Sequence, residues 1–325
     1  MKIPRRRFLE LATGATALPA ASRIASAQTY PTRPVRIVVG YAPGGGTDLV
    51  ARLMGQWLSE RLGQQFVIEN RTGAATNIGT EAVVHAPADG YTLLLAHTAN
   101  AINATLYEKL NFNFIRDITP VAGIMRVPGV MVVNPSLAAK TVPEFIAYAK
   151  ANPDKINMAS GGAGGPDHMS GELFKTMTGV NMIHVPYRGL SPALTDLLSG
   201  QVQVIFSSLP AAIEYIRADK LRALAVTTAT RFEGAPDIPT VGEVVAGYEA
   251  SQWYGVGAPK NTPVEIAETL NKEINAGLAN PKLRAQLADL GGTVLPGSPA
   301  DFRTLIADET EKWAKVVRLS GAKPD

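Results

Sequence analysis

The chain has 325 residues, a formal net charge of +3 and no cysteine. The missing cysteine excludes a disulfide framework, and a hydrophobic content of 46% fits an ordinary globular core. The length suits two lobes better than one core.

Residues 1–27 read as an export signal. Arg5, Arg6 and Arg7, followed by Phe8 and Leu9, match the twin-arginine pattern, with a basic Sec signal as the alternative. A weakly apolar stretch runs from Leu11 to Ala21. Ala25, Ser26 and Ala27 then form a small-residue cleavage site that makes Gln28 the first mature residue. Lys2, Arg5, Arg6, Arg7 and Arg23 against Glu10 give this segment a charge of +4, so removing it leaves −1. No polybasic block remains to engage nucleic acid or a membrane surface. No later run reaches the roughly 18 apolar residues of a membrane span.

From Val35 to Val50 the chain reads as a strand, a three-glycine turn (Gly44, Gly45, Gly46) and a helix starting at Thr47 or Asp48. Such a turn aims backbone N–H groups, at the positive end of a helix dipole, toward an anion. Further strands are expected at 65–70, 92–96, 118–134 (as two), 156–159, 182–186, 202–207, 221–227 and 252–257. Helices are expected at 47–62, 77–86, 141–151, 168–178, 192–199, 209–218, 263–279, 281–290 and 299–319. Strand–helix alternation predicts an α/β fold with mainly parallel sheets. Pro128 and Pro259 mark two crossing segments. Lobe one is then 28–127 plus 253–325, and lobe two is 128–252.

Two functions fit the glycine turn. A dinucleotide-dependent oxidoreductase would use it for pyrophosphate and Glu69 for ribose, but Leu49 stands where the third glycine of GxGxxG belongs. The other is capture of a carboxylate. A hydrolase finds little support. The sequence Gly189-Leu190-Ser191-Pro192-Ala193 is only close to a nucleophile elbow, and His85, His97, His168 and His184 all precede that serine. No HExxH is present, so neither metal nor cofactor is expected.

The segments YAPGGGTDLVARL, ENRTGAATNIGTE, HVPYRGLSPALTDLLSGQVQVIF and WYGVGAPK resemble, in order, the Bug substrate-binding proteins of tripartite tricarboxylate transporters. The resemblance implies a periplasmic receptor of the type II, Venus-flytrap architecture. Such a receptor closes on a small carboxylate and delivers it to a permease of one large and one small subunit. It also implies that two loops of lobe one hold the carboxylate through main-chain N–H groups and water. Those loops carry Tyr41, Pro43, Gly44, Gly45 and Gly46, and then Ala75, Thr76 and Asn77. The family usually has glycine where this chain has Ala75 and Thr76, which predicts either a reshaped second loop or the Thr76 hydroxyl as a new donor. Thr98, at a strand end, is a candidate cleft hydroxyl. His97 reads as structural, and Asp48 as a helix-terminus group.

In lobe two the candidates are Ser160, Gly161, Gly164, Asp167 and His168, then Arg188 as a cationic partner and Ser207 as a hydroxyl. The family often has serine or threonine where this chain has Gly165, Pro166 and Asp167. The change removes donors and adds a negative charge, which puts a tricarboxylate ligand in doubt.

Overall fold

The computed structural model describes residues 30–324. The export-signal reading of residues 1–27 lies outside the described residues. In chain order the first lobe begins with β1 (Val35–Val39), α1 (Gly46–Leu62), β2 (Phe66–Asn70), α2 (Asn77–Val84), β3 (Thr92–His97), α3 (Thr98–Leu106), α4 (Phe114–Asp117) and β4 (Ile118–Val127). The second contains β5 (Gly129–Val133), α5 (Val142–Ala151), β6 (Asn157–Ser160), α6 (Pro166–Thr178), β7 (Ile183–Pro186), α7 (Leu190–Leu198), β8 (Val204–Ser208), α8 (Leu209–Arg217) and β9 (Arg222–Val226). The chain then returns through β10 (Gln252–Pro259), α9 (Val264–Ala279), α10 (Pro281–Asp289), β11 (Thr293–Val294) and α11 (Pro299–Ser320).

These strands make two sheets, ordered β11-β4-β10-β3-β1-β2 and β7-β6-β8-β5-β9. The expectation of mainly parallel sheets is corrected. β1 pairs in parallel with β2 and β3, and β6 with β7 and β8. The pairings made by β4, β10, β11 and β5 are antiparallel. The reason is connectivity. β4 runs directly into β5 across Pro128, and β10 brings the chain back, so neither strand follows the helical crossover that parallel pairing requires. Helices α3 and α4 were not foreseen either. The segment from Thr98 to Leu106 holds five residues of alanine and asparagine, whose propensities oppose each other.

The last helix ties the lobes together. Ser298 and Asp301 form a reciprocal capping box, Pro299 occupies the first turn, and Gly321 (φ 66°) ends the helix in the left-handed region. Its apolar stripe of Phe302, Ile306, Trp313, Val316 and Val317 is buried in a cluster that also takes in Met131, Phe145, Phe174 and Phe206 of the second lobe. The Tyr248 hydroxyl donates to the Ser170 carbonyl in the same region (3.0 Å). Truncating the fully buried Trp313 to alanine would cost about 3–5 kcal/mol.

Candidate functional site

A cleft of about 590 Å³ lies between the sheets. Lobe one contributes Tyr41, Gly46, Thr47, Ala74, Ala75 and His97 to its wall, and lobe two the loop from Gly161 to Asp167. Among the residues lining it none is lysine or arginine, and Asp167 is the only carboxylate. A second groove of about 580 Å³ sits between α8 and the α10–β11 turn. Neither glycine loop borders it, and Glu214, Arg217, Arg284 and Asp289 give it mixed charge.

The lobe-one wall starts from the N-terminus of α1. Gly45 caps the helix, and its carbonyl accepts the first helical bond from Leu49 N–H (3.0 Å). The N–H groups of Gly46, Thr47 and Asp48 therefore precede the intrahelical ladder. Gly46 and Thr47 face the cleft. Gly44 does not: its N–H donates to Asp48 Oδ2 (2.9 Å). Asp48 also accepts from Arg52 Nε (2.8 Å) and Asn70 Nδ2 (2.9 Å). Burial pushes the Asp48 carboxyl up, but the bonds from Arg52, Gly44 and Asn70 outweigh it and bring it down to about 2. Asp48 thus fixes the turn and leaves the outer N–H groups to an incoming anion. Gly44 has φ +86°, a backbone state that glycine adopts without strain. Pro43, Gly44 and Gly45 are exposed and lie outside the cleft lining.

Behind this turn lies a neutral polar floor. Tyr41 Oη is 3.2 Å from His97 Nδ1, which also accepts from Ala99 N–H (3.2 Å). Both partners can only donate to an unprotonated Nδ1, so the proton sits on Nε2, facing Gln252 Oε1 at 3.4 Å. Burial lowers His97 to about 4, with the Gln252 contact opposing. The ring is therefore neutral at pH 7. Tyr254 packs on it at 4.8 Å between centroids and hydrogen-bonds Thr47. Sequence reasoning left His97 as structural and overlooked Gln252 and Tyr254, although both lie in or beside the WYGVGAPK segment.

The second loop keeps a left-handed backbone without glycine. Ala74, Ala75 and Thr76 have φ of 44°, 48° and 83°. Tertiary bonds hold this shape. Asn103 Nδ2 donates to the Ala75 carbonyl, and Asn100 Nδ2 to Thr76 Oγ1 (3.2 Å). A Cβ on Gly40 would lie 2.5 Å from Thr76 Cβ, so glycine there makes the room. Ala75 lines the cleft, whereas Thr76 and Asn77 are buried behind it. Asn77 Oδ1 accepts from Asn103 (3.1 Å).

Several expected side chains turn away from the cleft. Thr98 is fully buried and its hydroxyl accepts from Trp253 N–H (2.8 Å). Ser160 is fully buried with Oγ 2.6 Å from His184 Nε2, and Ser207 donates to the Ser208 carbonyl (3.1 Å). His168 is buried, stacked on His184 at 3.6 Å, and its Nδ1 accepts from Gly164 N–H (2.9 Å). Arg188 is exposed and outside the lining. Strand ends do point to the cleft, but alternation sends every second side chain into the core. Gly161, Gly164 and Asp167 do line it.

Asp167 sits in the first turn of α6, whose cap is Gly165 and whose first residue is Pro166. Its carboxylate accepts from the N–H groups of Gly161, Asp167 itself and His168. Burial still pushes it up, because no lysine or arginine balances the desolvation. Its charge reaches across the cleft: after burial and Tyr254, Asp167 is the third influence raising the Tyr41 hydroxyl.

Two lobes of mixed sheet, joined by crossing strands and enclosing a cleft lined by helix N-termini, define a solute-binding protein of the periplasmic type. The sequence profile of the tripartite tricarboxylate transporter family receptor (TctC) matches residues 50–321. The chain belongs to this receptor family. It is 39% identical over 303 residues to the protein BugT of Bordetella pertussis, covering 92% of each chain. Its fold is similar to that of R. palustris Rpa4515 solved with adipate, with a TM-score of 0.81 and 40% identity over 91% of this chain and 100% of that one. It also resembles MatC from Rhodopseudomonas palustris with bound malate, with a TM-score of 0.77 and 32% identity over 89% and 100% of the two chains. Membership in a receptor family sets aside the oxidoreductase reading. Glu69, the acid that reading required, is instead bound to Arg36 and Arg71.

Proposed function

We propose that this chain captures a small carboxylate in the cleft and passes it to the membrane subunits of a tripartite transporter. The observation that carries the reading is the N-terminus of α1. It brings Gly46 and Thr47, whose N–H groups precede the intrahelical ladder, to a cleft whose lining has no cationic side chain. Backbone donors at a helix terminus hold a carboxylate without a lysine or arginine. The Tyr41–His97–Tyr254 floor stays uncharged at pH 7, so the helix end supplies the positive potential. A ligand touching both lobes favours the closed arrangement by its differential affinity, and the permease reads that arrangement. The same reading places the protein in the periplasm, exported by the segment ending at Ala27. No described helix is long and apolar enough to cross a membrane.

The test is calorimetry on the mature protein with a panel of mono- and dicarboxylates, followed by small-angle scattering with the best binder. Binding accompanied by a smaller radius of gyration supports the reading. Absence of binding across the panel defeats it. Mass spectrometry of the periplasmic protein should find Gln28 at the N-terminus, and intact Met1 would defeat the export claim.

A further inference from the structure

The two helix termini that face the cleft differ in what already occupies them. At α1 Gly46 and Thr47 line the cleft, and their N–H groups precede the intrahelical ladder. At α6 the equivalent first position is Pro166, which has no N–H, and the Asp167 carboxylate lies beside the next two N–H groups, whose influence lowers its carboxyl. The same carboxylate takes the Gly161 N–H. The start of α7 converges on this point too: a Cβ on Gly161 would lie 3.1 Å from the Leu190 nitrogen and 3.3 Å from Asp167 Oδ2. Lobe two therefore carries its own anion where two helix ends could otherwise receive one from a ligand. The nearby loop donors are spent as well. Gly164 N–H goes to His168 Nδ1 (2.9 Å) and Gly165 N–H to the Gly162 carbonyl (3.3 Å). Around Asp167 the cleft holds no lysine or arginine to offset its charge.

We propose that Asp167 selects ligands whose end distal to the carboxylate donates a hydrogen bond, as a hydroxyl, amide or ammonium does, and disfavours a second carboxylate there. This rests on the receptor reading above and names the ligand class for it. The ligand's carboxylate lies on the α1 terminus, and its distal donor meets the carboxylate oxygens of Asp167 and the lone pairs of Tyr41 Oη. The Tyr41 hydroxyl spends its proton on His97 Nδ1 (3.2 Å), so toward the cleft it only accepts. An ionised Asp167 and a ligand carboxylate about 5 Å apart, at an effective dielectric near 20, disfavour each other by roughly two orders of magnitude in binding constant, an effect that the raised Asp167 carboxyl diminishes as pH falls.

The experiment is calorimetry with matched pairs, adipate against adipic acid monoamide and succinate against succinamic acid, with hexanoate as the control lacking a distal polar group. Wild type should bind each monoamide at least tenfold tighter than its parent dicarboxylate. In Asp167→Asn the ratio should fall to threefold or less. Asp167→Ser, which keeps a short oxygen acceptor for the loop and drops the charge, should do the same if Asp167→Asn fails to fold. A wild type that binds the dicarboxylates as tightly as the monoamides overturns the proposal. So does a monoamide preference that survives both substitutions. Binding of none of the five compounds overturns the receptor reading itself, which is a distinct outcome.

Discussion

The starts of α1 and α6 are built from the same parts: a strand, a glycine-rich turn, a glycine cap and an aspartate in the first turn. They end in opposite electrostatic states. Asp48 sits one residue further into its helix and finds Arg52 and Asn70, so it is held ionised at about 2. Asp167 sits one residue earlier and finds only N–H groups and His168, so burial prevails and its carboxyl is pushed up. The first helical residue differs as well, Gly46 with an N–H and Pro166 without one. One terminus is left open for an anion, and the other is closed by the chain itself. A Gly-rich turn before a helix is thus an anion site only if nothing local fills it.

The largest effect should come from closing the open terminus. Gly46→Pro removes one N–H and nothing else of consequence, since proline is favoured at the first helical position and Gly45 already has an extended backbone (φ −80°, ψ 167°). A hydrogen bond to a charged group is worth about 1.5–3 kcal/mol, so carboxylate affinity should fall by roughly ten- to a hundredfold. Thermal stability without ligand should stay near wild type. Unchanged affinity by calorimetry would take the α1 terminus out of the site.

A smaller effect separates the two aspartates by stability. Asp48→Asn should cost about 1–2 kcal/mol at pH 7 in urea denaturation, because Arg52 is half-exposed and partly screened. The Asp48 carboxyl is lower in the folded than in the unfolded chain. Its contribution is therefore complete above pH 4 and is lost as pH falls from 3.8 toward about 2. Asp167 has the opposite sign. Its folded value is raised, so it withholds stability at neutral pH and returns it as pH falls through the raised value. Asp167→Asn should therefore destabilise less than Asp48→Asn at pH 7. The reverse order would mean that the N–H bonds at Asp167 outweigh its desolvation.

The smallest effect concerns the second lobe-one loop. A left-handed non-glycine residue costs roughly 1–2 kcal/mol, and glycine gives part of this back as unfolded-state entropy. Ala75→Gly should raise stability by about 0.5–1 kcal/mol in thermal unfolding, with the loop shape unchanged. A loss of stability would show that the Ala75 methyl is held by packing.

Much of the fold was legible in the chain. The strands from Val35 through Pro259 and the long helices follow from β-branched runs and apolar spacing, which are local properties. The short helix at Thr98–Leu106 was not legible, because alanine and asparagine give no net preference and His97 is an unusual cap. It is held by burial of Ile102 and Leu106. The antiparallel pairings of β4 and β10 were equally hidden, since direction is set by where the chain crosses and not by strand composition.

For the site, the sequence by itself determined the residue types: a glycine turn with a helix behind it, an absence of cysteine, and a proline and an aspartate after the second glycine run. Tertiary structure alone decided which groups meet. Asn100 and Asn103 from a neighbouring helix hold Ala75 and Thr76 left-handed, which would not stay so unaided. Ser160 and Ser207 went into the core because a strand turns alternate side chains inward, and Thr98 because it opens a helix packed against Trp253. Asp48 became a paired anion and Asp167 an unpaired one because Arg52 and Asn70 stand beside the first and no cation stands beside the second. Charge in a sequence is only a count. The dielectric, the partners and the N–H groups that give it an energy are assembled by folding.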